Sequence, residues 1–567
     1  MRHNIVEDGE AALQNRKTAA KVRQAEAAQG RDVGLACSHE QVVTMDCLWR
    51  KGVATHPDAW FLVFEAQDGE VTSWTYLEFD KVVARTACRL KREGVHVGAS
   101  VHIVLRNSPG FVAIWLAAAR LGAWIVPVDP MSSSRDISSQ LRRTGSMFGV
   151  YGVERAQAYH EAAKAAEVTS IQMREDATDL GPGGALWCSG EVNSVEETPA
   201  ALHRLAVMFT SGTTSEPKGV VLTQQNYAHV GNCMALAADL RAEHRWLVSL
   251  PLFHANAQYY CIAPAISTGA SVALTSQFSA SRWTAQAKRL RATHASLFAA
   301  PMRMILAHRT PTTPRLRLSH VWFAQSLGLR HYEEFAELVG CRPRQLYGMT
   351  ETVSIVTADM GRIARHDIIG SVVGGRRIMM LDVDTGRTAL PGKPGMLLVS
   401  GIKGEDLFEG YLGDPATTQE SFEFRNGYNW FRTGDLVLDT GGGILRFVGR
   451  IDDVVKVSGE NVSLTEVEAA LAEAPGVLEA AVVARLDPIR DHVPVAYVVP
   501  RSKGETLSTE GLALWAAQHL SPACRPREWY IVPSLPRTSV GKIRRFQLDG
   551  RESPLGRGMT GEGDDVT

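Results

Sequence analysis

The stretch TSGTTSEPKG, Thr210–Gly219, decides how this chain is read. Within ten residues it sets three threonines, two serines, two glycines and one lysine. Hydroxyls and backbone N–H groups at that density suit an anion. It is not the common phosphate loop G-x-x-x-x-G-K-[ST], because Pro217 precedes Lys218 and Gly219 follows it. LAVMF before it reads as a strand and VVLTQQNYAHV after it as a helix. The expectation is therefore a strand-to-helix junction with a helix N-terminus near the anion. A polar connecting loop accounts for the same residues, and the stretch alone names no reaction.

Outward from it, apolar strand-like runs alternate with helical stretches. SVHIVL (100–105), the helical FVAIWLAAARLG and AWIVPV (123–128) form one such unit, and RWLVSL, ASVALT and ASLFAA continue the pattern. Strand, helix, strand at this spacing predicts an α/β architecture with parallel sheets covered by helices. From Arg376 to Gly449 the texture changes to short strands with Gly and Pro turns, a β-rich subdomain. After Gly449 it changes again to a separate α+β module, in which Ser463 reads as a helix cap with Glu466 as its capping-box partner.

Composition sets the outer bounds. The chain has 567 residues, 45% hydrophobic and 21% charged, with 60 basic against 61 acidic side chains and a net charge of −1. No global field draws it to nucleic acid or to an anionic membrane. Its eight cysteines include no C-x-x-C pair, which points away from zinc or a disulfide framework and toward a reducing cytoplasm. The first thirty or so residues lack the apolar core of a signal peptide. FVAIWLAAARLGAWIVPV (Phe111–Val128) is broken by Arg120 and Gly122, so helix then strand is expected rather than a membrane span.

Four further stretches could carry chemistry. QLYGMTETVS (345–354) offers Tyr347 to a base, Thr350 to a phosphate and Glu351 to a Mg2+ ion. In NWFRTGDLV (429–437), Asp435 could meet a ribose diol with two acceptor oxygens. RFVGRIDDVVKVSGEN places Arg450 and Asp452–Asp453 at the join between the two large units, and PRTSVGKIRR (536–545) is a basic loop. Each one alone is explained equally well as a turn or a solvated surface run.

Together, and in this order, the motifs resemble the core motifs of the adenylate-forming superfamily, which holds acyl-CoA synthetases, peptide-synthetase adenylation domains and beetle luciferases. The resemblance covers about residues 45 to 550 and is closest to carnitine/crotonobetaine-type CoA ligases. It implies a large N-terminal domain of two αβ sheets plus a β-barrel-like subdomain, followed by a small mobile α+β C-terminal domain. The implied boundaries are a disordered extension at 1–40, an AMP-binding domain at 41–450 with its β-rich part at 376–449, a mobile domain at 451–550 hinged at Asp452, and a disordered tail at 551–567.

The resemblance also implies the reaction. A carboxylate attacks the α-phosphate of Mg2+-bound ATP, giving an acyl-adenylate and pyrophosphate, and the CoA thiol then displaces AMP. By position, Thr210, Ser211, Gly212, Thr213, Thr214 and Lys218 would hold the outgoing phosphates. Tyr347 would flank the adenine opposite Ala324–Ser326, Thr350 would touch the α-phosphate, and Glu351 would hold the metal. Asp435 and Arg450 would bind the ribose, Lys542 would bridge phosphate and attacking carboxylate, and Gly459 would line the thiol tunnel. Two departures stand out: Ser215, where the family usually has Gly, and WFAQSLG (322–328) in place of the usual small-residue run.

His254 follows Phe253 where amino-acid adenylation domains carry Asp, so an α-amino acid is not expected. Gly348 replaces the Trp of acetate-type enzymes, so an acid larger than acetate is expected in a pocket walled by His254, Asn256, Tyr259 and Tyr260. The expected partners are this small carboxylate, CoA or a carrier protein. Nitrite activation toward an arylamine and a non-catalytic binding role are the alternatives, and retained Lys542, Glu351 and Asp435 argue against the second.

Overall fold

Strands Ser100–Val104, Trp124–Pro127, Phe148–Gly152 and Ser271–Thr275 are buried along their whole length. Strands covered on both faces read as unbroken apolar runs, which is why they stand out in the sequence. The computed structural model describes residues 44–164, 166–189, 199–210, 217–457, 460–487, 490–501, 507–537 and 543–548. The expected extension at 1–40 and tail at 551–567, together with Ser211–Thr214, Gly459 and Lys542, lie outside the described residues.

A seven-stranded sheet runs Gly410–Tyr411, Lys218–Thr223, Arg204–Thr210, Trp124–Pro127, Ser100–Val104, Phe148–Gly152, Thr169–Met173. A nine-stranded sheet is built around parallel strands Trp60–Glu65, Ser271–Thr275, Arg245–Val248, His294–Phe298, His320–Ala324 and Arg344–Tyr347. Residues of both sheets share one apolar core, with Phe61 and Trp246 from one, and Ile103, Ile125 and Leu205 from the other. Between the sheets lies helix Pro109–Leu121, buried at every residue. Ser108 caps it through Phe111 N, Pro109 opens it, and Gly122 closes it at φ 66°, a left-handed position that suits glycine. The apolar run is thus a core helix. No helix among the described residues is long and apolar enough to cross a membrane.

A five-stranded antiparallel sheet follows. Its long strand Tyr428–Asp439 pairs first with Phe422–Arg425 and then with Leu445–Arg450, so one edge serves two partners. The smaller C-terminal domain has its own sheet, mostly antiparallel, and its own core around Val467, Leu471, Val482, Val498 and Trp529. A core that closes on itself is what lets a unit behave as a domain.

Three local expectations need correction. The anion-rich stretch is not a strand-to-helix junction: Arg204–Thr210 and Lys218–Thr223 form an antiparallel pair with Thr210 opposite Lys218. Its flanking helix begins only at Gln224, capped by Thr223. The buried run GVVL packs as a strand before the helical period starts. Ser463 caps its helix through Glu466 N at 3.2 Å, but the Glu466 carboxylate sits 3.3 Å from Arg446. Finally, Cys88 and Cys188 form a disulfide with Cα atoms 6.0 Å apart. Arg85 covers the Trp187 ring at 3.6 Å and Arg92 donates to Ser189 O at 2.7 Å, so one stripe of helix Tyr76–Arg92 holds the whole segment. A separation of 100 residues leaves no spacing signal for such a bond.

Candidate active site

Strand Arg344–Tyr347 ends at the rim where the nine-stranded and five-stranded sheets meet. Tyr347 Oη donates to Asp435 Oδ2 at 2.6 Å. Asp435 lies opposite Arg450 in the register of its own sheet, with Arg450 Nη1 3.6 Å from Asp435 Oδ1. Burial raises the Tyr347 phenol first, and the neighbouring Asp435 charge raises it further. For Arg450, burial opposes the charge, but Asp435 and then Tyr347 outweigh it and hold the guanidinium above its ordinary value. The result is a fixed phenol–carboxylate–guanidinium row.

The next residues turn sharply. Gly348 and Met349 lead into the single 3-10 turn Thr350–Thr352, and Thr352 Oγ1 accepts from Met349 N at 3.0 Å. Glu351 is 6% exposed, and its Oε1 accepts from Tyr411 Oη at 3.2 Å. Burial and then the Glu351 charge raise that phenol. Tyr411 stands on strand Gly410–Tyr411, which pairs with Lys218–Thr223. Lys218 Nζ lies 5.1 Å from the Tyr411 ring centroid, within cation–π reach. Thr210 Oγ1 donates to Lys218 O at 3.4 Å. One tyrosine thus couples the C-terminal shoulder of the anion-rich stretch to the Glu351 turn.

Behind this turn, Val353 has φ 63° and ψ −73°, an outlier for a β-branched residue. Arg376 Nη2 spans it, donating to Thr352 O at 2.7 Å and to Ser354 Oγ at 2.9 Å. The Arg376 side chain is 2% exposed and lies 3.8 Å from Asp406 Oδ2. Neither Tyr411 nor Arg376 was singled out from sequence. Both act on partners far along the chain, Tyr411 at a separation of 60 residues and Arg376 at 22 to 24, so no short motif reveals them.

Of the remaining expected residues, Gln325 in the 324–326 segment has φ 73°, and its carbonyl accepts from Gln345 Nε2 at 3.2 Å, tying that segment to the Tyr347 strand. His254 sits where the chain enters a short helical run, its ring centroid 4.3 Å from that of Phe253. Asn256 Nδ2 donates to Ser296 Oγ at 3.0 Å. The Tyr259 ring lies 5.4 Å from Tyr227, edge to face. Gly348 does not open onto empty space: a Cβ there would lie 3.0 Å from Tyr260 Oη and 3.2 Å from Ser354 O. Asp452 is exposed in the turn Ile451–Asp453, beside Asp453, which accepts from Arg545 Nη1 at 3.1 Å.

An aromatic, two carboxylates and a lysine thus come together from strands of three sheets and the Thr350–Thr352 turn. Residues 49–412 match the family described as AMP-binding enzyme, and residues 466–542 match its C-terminal domain. The chain belongs to the AMP-binding enzyme family. Among curated proteins, the crotonobetaine/carnitine–CoA ligase of Escherichia coli O139:H28 is 30% identical over 499 residues, covering 86% of this chain and 95% of that protein. Among solved structures, o-succinylbenzoate CoA synthetase from Bacillus subtilis, in complex with its acyl-adenylate intermediate, aligns with a TM-score of 0.75 at 26% identity, covering 90% of this chain and 99% of that one. A benzoate CoA ligase from Burkholderia xenovorans LB400 aligns at 0.78 with 22% identity, over 89% and 99%, a likeness of fold. The AMP-binding family domain takes in Tyr347, Glu351, Tyr411 and Lys218.

Proposed function

We propose that this AMP-binding enzyme activates a carboxylic acid larger than acetate as an acyl-adenylate and passes the acyl group to the CoA thiol, releasing AMP and pyrophosphate. The observation that carries this reading is the Tyr347–Asp435–Arg450 row beside the Glu351–Tyr411–Lys218 row. A nucleotide needs a flat face for its base, acceptors for its ribose hydroxyls and cations along its phosphates, and these residues supply all three.

On this reading Tyr347 flanks the adenine, and Asp435 accepts from the ribose diol while Arg450 holds it in place. Thr350 donates to the α-phosphate. Lys218 and the hydroxyls from Thr210 to Thr214 receive the departing pyrophosphate. Glu351 suits a Mg2+ ion, which is held by one or two carboxylates together with phosphate oxygens and water, and which when bound would neutralise phosphate charge. A buried carboxylate fixed by a Tyr411 hydrogen bond meets that need without a larger cluster. Lys542 balances charge on the pentavalent phosphorus. The large domain would run from about residue 41 to Arg450, with Asp452 as the hinge on which the small domain brings Lys542 and then Gly459 to the site.

The test is pyrophosphate exchange over a panel of acids, nitrite included, followed by AMP release with and without CoA. Acid-dependent exchange with CoA-dependent AMP release is expected. Exchange with nitrite alone, or AMP release that needs a carrier protein or an arylamine instead of CoA, would assign the other acceptors.

A further inference from the structure

The wall of the proposed acyl pocket is polar where an apolar tail would need it greasy. Asn256 and Tyr260 stand four residues apart on one helical run. The run they occupy passes from helix Ala255–Ala257 into a single π-helical turn, Gln258–Ile262. Such turns gather at functional sites because the extra residue re-aims side chains. Tyr260 Oη points at Gly348, so close that a Cβ there would meet it at 3.0 Å. Gly348 follows Tyr347 directly and leads into Thr350 and Glu351, so this run looks onto the reacting end of the site.

Two buried polar atoms on this segment have no hydrogen-bond partner. The Asn256 amide spends its N–H on Ser296 Oγ, and its Oδ1 is left without a donor. The Tyr259 hydroxyl is likewise unpartnered on a residue with no exposed surface. An orphaned buried acceptor costs free energy unless something fills it, so a native structure keeps one only for a reason. Other buried atoms in the chain also lack partners, but these two stand on the segment that faces Gly348. Burial raises the phenols of Tyr259 and Tyr260, so both are neutral hydroxyls at ordinary pH.

We infer that the activated acid carries a hydrogen-bond donor, an amine or a hydroxyl, on its tail, received by Asn256 Oδ1 with Tyr259 and Tyr260 around it. This inference rests on the acid-activating reading above. Tyr260 sets the second limit, since its hydroxyl stands beside Gly348 and stops a long straight tail from running past it. A site built around a donor rejects an analogue that lacks one far more strongly than an apolar pocket rejects a wrong size.

The test is pyrophosphate exchange with meta- and para-substituted benzoates bearing amino, hydroxyl, methyl or methoxy groups. The amino or hydroxyl acid is expected to exceed its methyl isostere by about 100-fold or more in kcat/KM. Asn256→Leu should bring the amino-to-methyl ratio of kcat/KM close to one. Because the wild-type ratio needs no variant, poor folding of Asn256→Leu does not rescue the idea, and Asn256→Asp gives a second measure. Equal use of methyl and amino acids, preference for methoxy acids, or a preference unchanged in Asn256→Leu overturns the inference and leaves acid activation standing. Exchange with no acid at all overturns acid activation itself, and this inference with it.

Discussion

The phenol of Tyr347 donates to Asp435 Oδ2 at 2.6 Å across a separation of 88 residues, joining the nine-stranded sheet to the five-stranded one. The bond fixes one carboxylate oxygen, and Arg450 approaches the other at 3.6 Å. Hydrogen bonds to charged groups contribute about 1.5–3 kcal/mol. Tyr347→Phe keeps the ring but removes one hydrogen bond from Asp435, so KM for ATP should rise about 10-fold to 100-fold with kcat less affected. Pyrophosphate exchange against ATP concentration reads this. An unchanged KM would mean that Asp435 needs no help from Tyr347.

Arg376 holds the strained turn behind Glu351. Val353 at φ 63° stores of order 1–3 kcal/mol, and Arg376 Nη2 grips the residues on both sides of it. Removing one partner of a buried ion pair costs about 3–5 kcal/mol. Arg376→Met should therefore lower stability and weaken exchange together. Val353→Gly relieves the backbone strain but also deletes a fully buried side chain, so the denaturation midpoint should not rise, while exchange should slow because relaxed backbone no longer presents Glu351. If Val353→Gly is fully active, the strain has no part in the reaction.

The parts of this fold legible in the sequence were those with local causes. Helix Pro109–Leu121 announces itself through Ser108, Pro109 and Gly122, and the doubly buried strands through unbroken apolar runs. The pairing of Thr210 with Lys218 is not legible in the sequence because GVVL is too short for periodicity to separate strand from helix. In the site, Tyr347, Glu351, Asp435 and Arg450 carry recognisable neighbours, whereas Tyr411 and Arg376 are ordinary residues until packing brings them to Glu351 and Val353. Gly348 shows the same limit in reverse. Its missing side chain suggests room, and Tyr260, from 88 residues earlier, stands at the edge of that space.

On the proposed reading, Lys542 serves adenylation and Asp452 the domain rotation that precedes thioester formation. Removing one transition-state donor costs about 10²–10³ in rate, so Lys542→Ala should lose that much pyrophosphate exchange. Asp452 lies exposed in the turn Ile451–Asp453 between the two domains, where a proline fixes φ. Asp452→Pro should spare exchange and cripple thioester formation. Equal losses in both half-reactions would rule out a hinge at this residue.

Several histidines are buried neutral. Burial lowers His102 to about 3, and burial with nearby cations lowers His294 and His331 to about 4. His320, 5.7 Å from His294, is lowered as well. A histidine with a depressed folded pKa binds fewer protons folded than unfolded once pH drops below about 6.5, so its stability contribution is present above that value and fades toward pH 4. Urea midpoints should fall steadily from pH 7 to pH 5. In His102→Gln the slope should flatten even if the midpoint at pH 7 is lower. A flat profile in the wild type would contradict the burial of these rings.

The Cys88–Cys188 bond closes a loop spanning 100 residues, from helix Tyr76–Arg92 across the strands from Ser100 to Met173. In the chain-entropy account a loop of that size stabilises by about 4.7 kcal/mol, because the unfolded chain loses freedom that the folded one never had. Arg85 over Trp187 and Arg92 on Ser189 O position the segment without the bond, so the reduced protein should fold and be less stable rather than misfold. Adding reductant should lower the wild-type Tm. Cys88→Ser should start from that lower Tm and not respond to reductant, and alkylation followed by peptide mass analysis should find Cys88 and Cys188 linked only in the untreated wild type. A wild-type Tm indifferent to reductant, with both thiols freely alkylated, would show that packing on the Arg85–Arg92 stripe holds the segment unaided.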